Sequence, residues 1–175
     1  MKKLKSTWYN MAIVLTGIAV VAGAALGYVN SITAPTIEAL KVQQEKEAEQ
    51  EVLNGQEGSA IKITDPKGFG GALTVMVGLA QDGTILGYKV LESSETPGLG
   101  AKAQDWFQKG QKGDIIGKQA GKLEVSKDGG EVDAITASTI TSRAFLRCIN
   151  AAYKTLSEND AQSGATPQAK PNNNK

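Results

Sequence analysis

The sequence has no histidine and a single cysteine, Cys148. Without histidine, the commonest general base and the commonest zinc ligand are missing. One cysteine excludes a cysteine-held iron–sulfur cluster, a zinc ribbon and any intrachain disulfide. Cys148 falls on the apolar stripe of a helix and reads as a buried thiol. An excess of either charge is lacking too. The chain carries 19 basic and 18 acidic residues, so no basic field points to nucleic acid. Redox chemistry in such a chain has to come from an organic cofactor rather than from bound metal. The 175 residues suffice for one compact domain with additions.

Charge is absent altogether from Met11 to Val29, "MAIVLTGIAVVAGAALGYV", nineteen residues in a row. As a helix this run spans about 28 Å, close to the hydrocarbon thickness of a bilayer. Lys2, Lys3 and Lys5 precede it, and the first acidic residue is Glu38. That asymmetry places residues 1–10 in the cytoplasm and everything after residue 30 outside. Trp8, Tyr9 and Tyr28 stand where interfacial aromatics belong. A cleaved signal peptide is the competing reading, since "AGA" at Ala22–Ala24 resembles a small-residue cleavage site. The run is longer than a usual signal core and no lipidation cysteine follows it, which favours a retained anchor over 11–29. Gly23 and Gly27 form a GxxxG pair that allows another helix to approach.

Beyond the anchor, residues 30–55 predict a stalk or lid helix. Ser31 or Thr33 starts it, Pro35 suits its first turn, and Asn54-Gly55 ends it. Its apolar stripe is thin. From Ala60 the period changes to two. "IKITD" predicts a short strand, and "GALTVMVGLA" puts Leu73, Val75, Val77 and Leu79 on one face. "QDGT" at 81–84 predicts a hairpin turn into "ILGYKVLES". "QDWFQKGQ" predicts a short helix, and "KLEVSKDGGEVDAIT" a second hairpin turning at Asp128-Gly129-Gly130. From Ile140 to Leu156, apolar residues at 144, 145, 148, 149, 152, 153 and 156 mark a helix stripe. The order argues for an α+β domain over 56–156 with an antiparallel sheet and flanking helices. Residues 157–175 are polar, with Pro and Asn towards the end, and are expected to be disordered.

"DAITASTITS" ends the last predicted strand and opens the final helix, with five hydroxyls between Thr136 and Ser142. Backbone N–H groups at a helix start are unpaired and carry partial positive charge, which suits a phosphate without any metal. A threonine hydroxyl here is open to two uses, helix capping or carriage of a phosphate ester. "ETPGLG" at 95–100 is either an ordinary turn or a ligand cradle. Pro97 fixes φ, and Gly98 and Gly100 permit positive φ and close approach of backbone to a flat ring.

On these residues the chain resembles the FMN-binding subunits of the Rnf and Na+-translocating NADH:quinone oxidoreductase complexes. The likeness runs from Lys2 to Leu156: the basic start, the single anchor, "APTIEAL", "GFGGALTVMVGLAQDGTILGYKVL", "ETPGLG" and "DAITASTITS". The short length looks more like the G subunit of Rnf than the longer C subunit of the sodium pump. In that family FMN is joined by a phosphoester to the last threonine of an Asp-x-x-Ser-Gly-Ala-Thr pattern. Carried over, Asp133, Thr136, Ala137, Ser138 and Thr139 occupy the pattern and Thr139 is the acceptor. Thr136 stands in place of Ser, Ala137 in place of Gly, and Ser138 in place of Ala. Ser93 stands where relatives often carry His. A required positive φ would make Ala137 costly. Asp160–Thr166 matches the pattern more literally, but Pro167 and an Asn-rich end follow it and no strand precedes it.

The resemblance further implies flavin contacts at Glu95, Thr96, Gly98 and Leu99, with Lys102 as a further candidate. It implies an electron carrier between reduced ferredoxin and NAD+, coupled to Na+ or H+ movement. The carrier lies in the bacterial inner membrane with its FMN domain on the periplasmic side. Its implied partners are the other membrane subunits and a flavin transferase that uses FAD and Mg2+. The equivalent subunit of the sodium pump and a cofactor-free assembly subunit are the alternatives.

Overall fold

A computed structural model describes residues 8–163. The basic start at Lys2, Lys3 and Lys5 and the tail threonine Thr166 lie outside the described residues. The chain divides into two units, with the boundary after Gln43.

The first unit is helical throughout its described length, as part of α1 (Trp8–Leu53). No residue of α1 before Ala48 is buried, and Ile13, Leu15, Val21 and Leu26 are among the large apolar side chains left exposed. A helix that is apolar all round belongs in lipid. Anchor and stalk were expected as two helices, but α1 passes through Pro35 without a break. Proline lacks the N–H that residue 31 would receive. Just ahead of it Ser31 Oγ donates to the Tyr28 carbonyl at 2.8 Å, and Thr33 Oγ1 to the Val29 carbonyl at 2.9 Å. These side chains add bonds to carbonyls in the turn before the interruption, while the Ser31 carbonyl is the one that loses its ladder donor.

The second unit begins in the last turns of α1. Ala48 and Val52 are buried there, which corrects the expectation of a helix outside the core. They form a small cluster with Met76. Asn54 and Gly55 then take φ of 46° and 73° and end the helix.

Three antiparallel strands follow in the order β1-β2-β3: β1 (Ser59–Asp65), β2 (Leu73–Leu79) and β3 (Ile85–Ser93). Gly83, at φ 84°, makes the tight turn between β2 and β3. Every residue of β2 is buried, because both faces are covered. Leu73, Val75, Val77 and Leu79 join the main core, while Met76 packs on Ala48 and Val52. The alternation in the sequence marks the main face but hides the cover on the other.

The main core lies between the sheet and α3 (Thr139–Ser163), which buries Ala144, Phe145, Cys148, Ile149, Ala152 and Leu156. Phe145 stacks on Phe107 with ring centroids 4.4 Å apart, and meets the edge of Tyr88 at 4.7 Å. The helix runs past Leu156 to Ser163, seven residues into the stretch expected to be disordered. No proline or glycine stands between 157 and 163 to stop it. A 3-10 turn, Gly100–Lys102, leads into α2 (Ala103–Trp106), shorter than the helix expected at 104–111.

The second predicted hairpin is absent. Residues 122–136 form an irregular loop around a 3-10 turn, Ser126–Asp128, and Val125 and Val132 run parallel in an isolated bridge. The outer edge of β3 is already taken. Ile85 N–H bonds the Lys118 carbonyl, Gly117 N–H bonds the Ile85 carbonyl, and Val90 N–H bonds Gln104 Oε1. With the β3 edge occupied, the loop buries Val125, Val132 and Ile135 as single anchors.

Candidate functional site

Three segments of the second unit meet at one cavity of about 350 Å³. One is the loop between β1 and β2, which carries Phe69. The second is the turn after β3, with Glu95, Thr96, Leu99 and Gly100. The third is the start of α3, Ala137 to Ile140.

The turn is built by its own sequence. Thr96-Pro97-Gly98-Leu99 closes with Leu99 N–H on the Thr96 carbonyl at 3.1 Å, and Gly98 sits at φ 78°. Proline second and a left-handed glycine third make a type II turn. Glu95 lies just before it, 7% exposed. Its Oε1 accepts the Phe69 N–H at 2.7 Å and so ties the two loops together. Its Oε2, also buried, has no partner, the one such side-chain atom among the described residues. A buried carboxylate oxygen without a donor is costly and points to a donor supplied from elsewhere. Gly100 is required behind it, because a Cβ there would lie 2.4 Å from Oε2 and 2.8 Å from Thr141 Oγ1.

The helix start answers the question its hydroxyls raise. Ser142 Oγ accepts the Ile135 N–H and donates to the Ser138 carbonyl, both at 3.0 Å. Ser138 Oγ and Thr141 Oγ1 bond each other at 3.0 Å. Ser138, Thr141 and Ser142 are buried and hold the turn. Thr136 is exposed and does not line the cavity. Thr139 is half-buried, lines the cavity, and its Oγ1 accepts from Lys127 Nζ at 3.2 Å. Ala137 takes φ 60°, the conformation that a glycine would adopt more cheaply.

Of the site residues expected from sequence, Glu95, Thr96, Leu99, Ala137, Ser138 and Thr139 come together around the cavity. Gly98 shapes the turn without lining it, and Lys102 lies in the 3-10 turn beyond. Ser93 Oγ accepts the Glu95 N–H at 3.2 Å, supporting the carboxylate from behind. Phe69, Gly100, Ile140 and Lys127 were missed as site residues. Phe69, Leu99 and Ile140 stay 68%, 41% and 49% exposed, an unusual amount of large apolar surface around one opening.

These parts fit FMN. The apolar side chains offer contact to a flat ring, and the orphaned Glu95 oxygen suits an N–H or O–H of the ligand. The start of a long helix with Lys127 beside it suits a phosphate.

Residues 68–154 match the FMN-binding domain family, a span that holds every residue lining the cavity. Similar chains carry consistent names. One is the G subunit of the ion-translocating oxidoreductase complex of Vibrio atlanticus, 35% identical over 143 residues, covering 79% of this chain and 68% of that one. Another is the G subunit of the Na(+)-translocating ferredoxin:NAD(+) oxidoreductase complex of Acetobacterium woodii. It is 31% identical over 206 residues, covering 90% of this chain and 98% of that one. The G subunit of the Yersinia pestis ion-translocating oxidoreductase complex is 39% identical over 95 residues, and the chain spans about half of it, 46%.

Proposed function

The chain belongs to the family of G subunits of ion-translocating oxidoreductase complexes, and we propose that it carries electrons there on an FMN held as a phosphoester by Thr139. The observation behind this reading is the meeting of the "ETPGLG" turn with the start of α3 at one cavity, with the half-buried Thr139 on its wall. FMN supplies one- and two-electron transfer when bound. The chain's own residues do the holding. Thr139 and the α3 N-terminus take the phosphate, Glu95 accepts a hydrogen bond from the ligand, and Phe69, Leu99 and Ile140 cover apolar ring surface. Thr96 lies on the same wall and offers its hydroxyl. Gly98 acts through the shape of its turn, and Thr136, Ala137 and Ser138 by presenting Thr139.

In this proposal residues 11–29 span the membrane, and the domain over 56–156 stands on the periplasmic side. A covalent bond keeps the cofactor where free FMN is scarce. A flavin transferase makes the bond from FAD and Mg2+: Thr139 Oγ1 bonds the FMN phosphorus, the pyrophosphate linkage breaks, AMP leaves, and the hydroxyl proton passes to solvent. Electrons then pass between neighbouring subunits of a ferredoxin:NAD+ oxidoreductase coupled to Na+ or H+ movement.

Thr139→Ala tests the assignment. Expressed with the transferase, wild type fluoresces in a denaturing gel and its intact mass rises by one FMN. The variant is expected dark at its bare mass, with a loss of stability of about 1 kcal/mol or less. Fluorescence in Thr139→Ala that disappears in Thr166→Ala would move the ester to the tail. A dark wild type would favour the cofactor-free assembly role.

A further inference from the structure

Lys127 has no place in the expectations drawn from the sequence, yet its Nζ lies 3.2 Å from Thr139 Oγ1. It reaches there from the Ser126–Asp128 turn, and that turn is fastened to α3 by the next residue. Asp128 grips Arg143 with two bonds, Arg143 Nε to Oδ2 at 2.7 Å and Nη2 to Oδ1 at 2.6 Å. Arg143 is four residues after Thr139, one turn along the same helix. Ser126 Oγ adds a bond to Asp133 Oδ1 at 3.3 Å. Two adjacent residues of one short turn thus meet two side chains on consecutive turns of α3.

The charges divide unequally between these contacts. Arg143 and Asp128 neutralise each other. Lys127 brings its positive charge to a neutral hydroxyl and has no acidic partner in a salt bridge among the described residues. A phosphodiester on Thr139 carries one negative charge next to that oxygen. An ammonium within hydrogen-bond distance is opposite to it in sign, equal in magnitude and in the right place.

We propose that Lys127 is the counter-cation of the Thr139 phosphoester and assists its formation, held over the acceptor hydroxyl by the Asp128–Arg143 pair. This rests on Thr139 as the acceptor. As FAD's FMN phosphorus is transferred to Thr139 Oγ1 and AMP leaves, the ammonium offsets charge on the phosphoryl oxygens. Arg143 acts through Asp128 as a positioning residue.

The test is the rate of loading of the purified full-length protein in detergent, with transferase, FAD and Mg2+, read as in-gel fluorescence and intact mass over time. At saturating acceptor, Lys127→Met is expected to slow loading about tenfold, the weight of one charge-assisted hydrogen bond. Lys127→Arg should restore the rate to within about threefold and Lys127→Glu should fall below Lys127→Met. Added salt should slow wild type more than Lys127→Met, because only wild type presents the ammonium. Arg143→Met should lower the rate by a smaller factor. Wild-type loading by Lys127→Met overturns the proposal, and so does an effect confined to KM, which would make Lys127 a contact for the transferase. Equal slowing by Lys127→Arg and Lys127→Met also overturns it. Failure of the underlying reading looks different: Thr139→Ala would then load like wild type.

Discussion

Ala137 bears backbone strain beside the proposed acceptor. Its φ of 60° costs an L-residue about 1 kcal/mol that glycine escapes. Ala137→Gly is therefore expected to raise stability by about 1 kcal/mol, read as a higher urea midpoint at unchanged m-value. No gain would mean that neighbouring contacts compensate for the strain. Gly100 predicts the opposite sign, since a methyl there meets Glu95 Oε2 and Thr141 Oγ1 at distances neither can yield easily. Gly100→Ala should cost about 1–3 kcal/mol and shift the turn that carries Leu99. Local sequence announced part of this site. Thr139, Glu95 and the Pro97-Gly98 turn sit in short patterns whose chemistry is visible in place. Phe69 does not, because it becomes a site residue only through a hydrogen bond to Glu95, 26 residues away. Lys127 is likewise one charge in a polar loop until Asp128 fastens that loop to α3.

The last helix and the first strand are joined by one ion pair. Arg147 on α3 meets Asp65 at the end of β1, Nε to Oδ2 at 2.6 Å, and also reaches the Lys67 carbonyl at 3.3 Å. Burial works against ionisation of Asp65, but Arg147 and the Lys67 N–H outweigh it, and its pKa falls below the usual 3.8. A group whose folded pKa is depressed contributes stability that is complete above the unfolded value and is lost as pH falls through the folded one. Asp65→Asn should therefore cost about 1.5 kcal/mol at pH 7, allowing for the partly exposed guanidinium. The difference from wild type should narrow below about pH 4. A gap that stays constant from pH 7 to pH 3 would assign the loss to packing. The strands and the long helix were readable because their periods of two and 3.6 persist over many residues. The second hairpin was misread because a turn signal and flanking valines do not reveal whether a sheet edge is free. Gly117, Lys118 and Gln104 had already taken it.

Membrane attachment was legible as an uninterrupted apolar run, and the family membership agrees with it. The continuity of α1 from that run into buried Ala48 and Val52 was not, since proline and a change of composition read as a boundary. The proposed periplasmic orientation of the folded unit rests on Lys2, Lys3 and Lys5 ahead of the apolar run and on the absence of basic residues between it and Lys41. Cys148 makes the orientation testable. Its thiol is fully buried, and burial, with Asp65 nearby, pushes its pKa up to about 12, so it stays unreactive in the folded protein. A cysteine introduced at Glu57, exposed in the turn after α1, then reports alone. With the periplasmic orientation, a membrane-impermeant maleimide should label Glu57→Cys in intact spheroplasts, while the parent chain labels only after denaturation. Labelling of Glu57→Cys only after lysis would put the flavin domain in the cytoplasm, and with it the argument that scarce free FMN calls for a covalent tether would lose its basis.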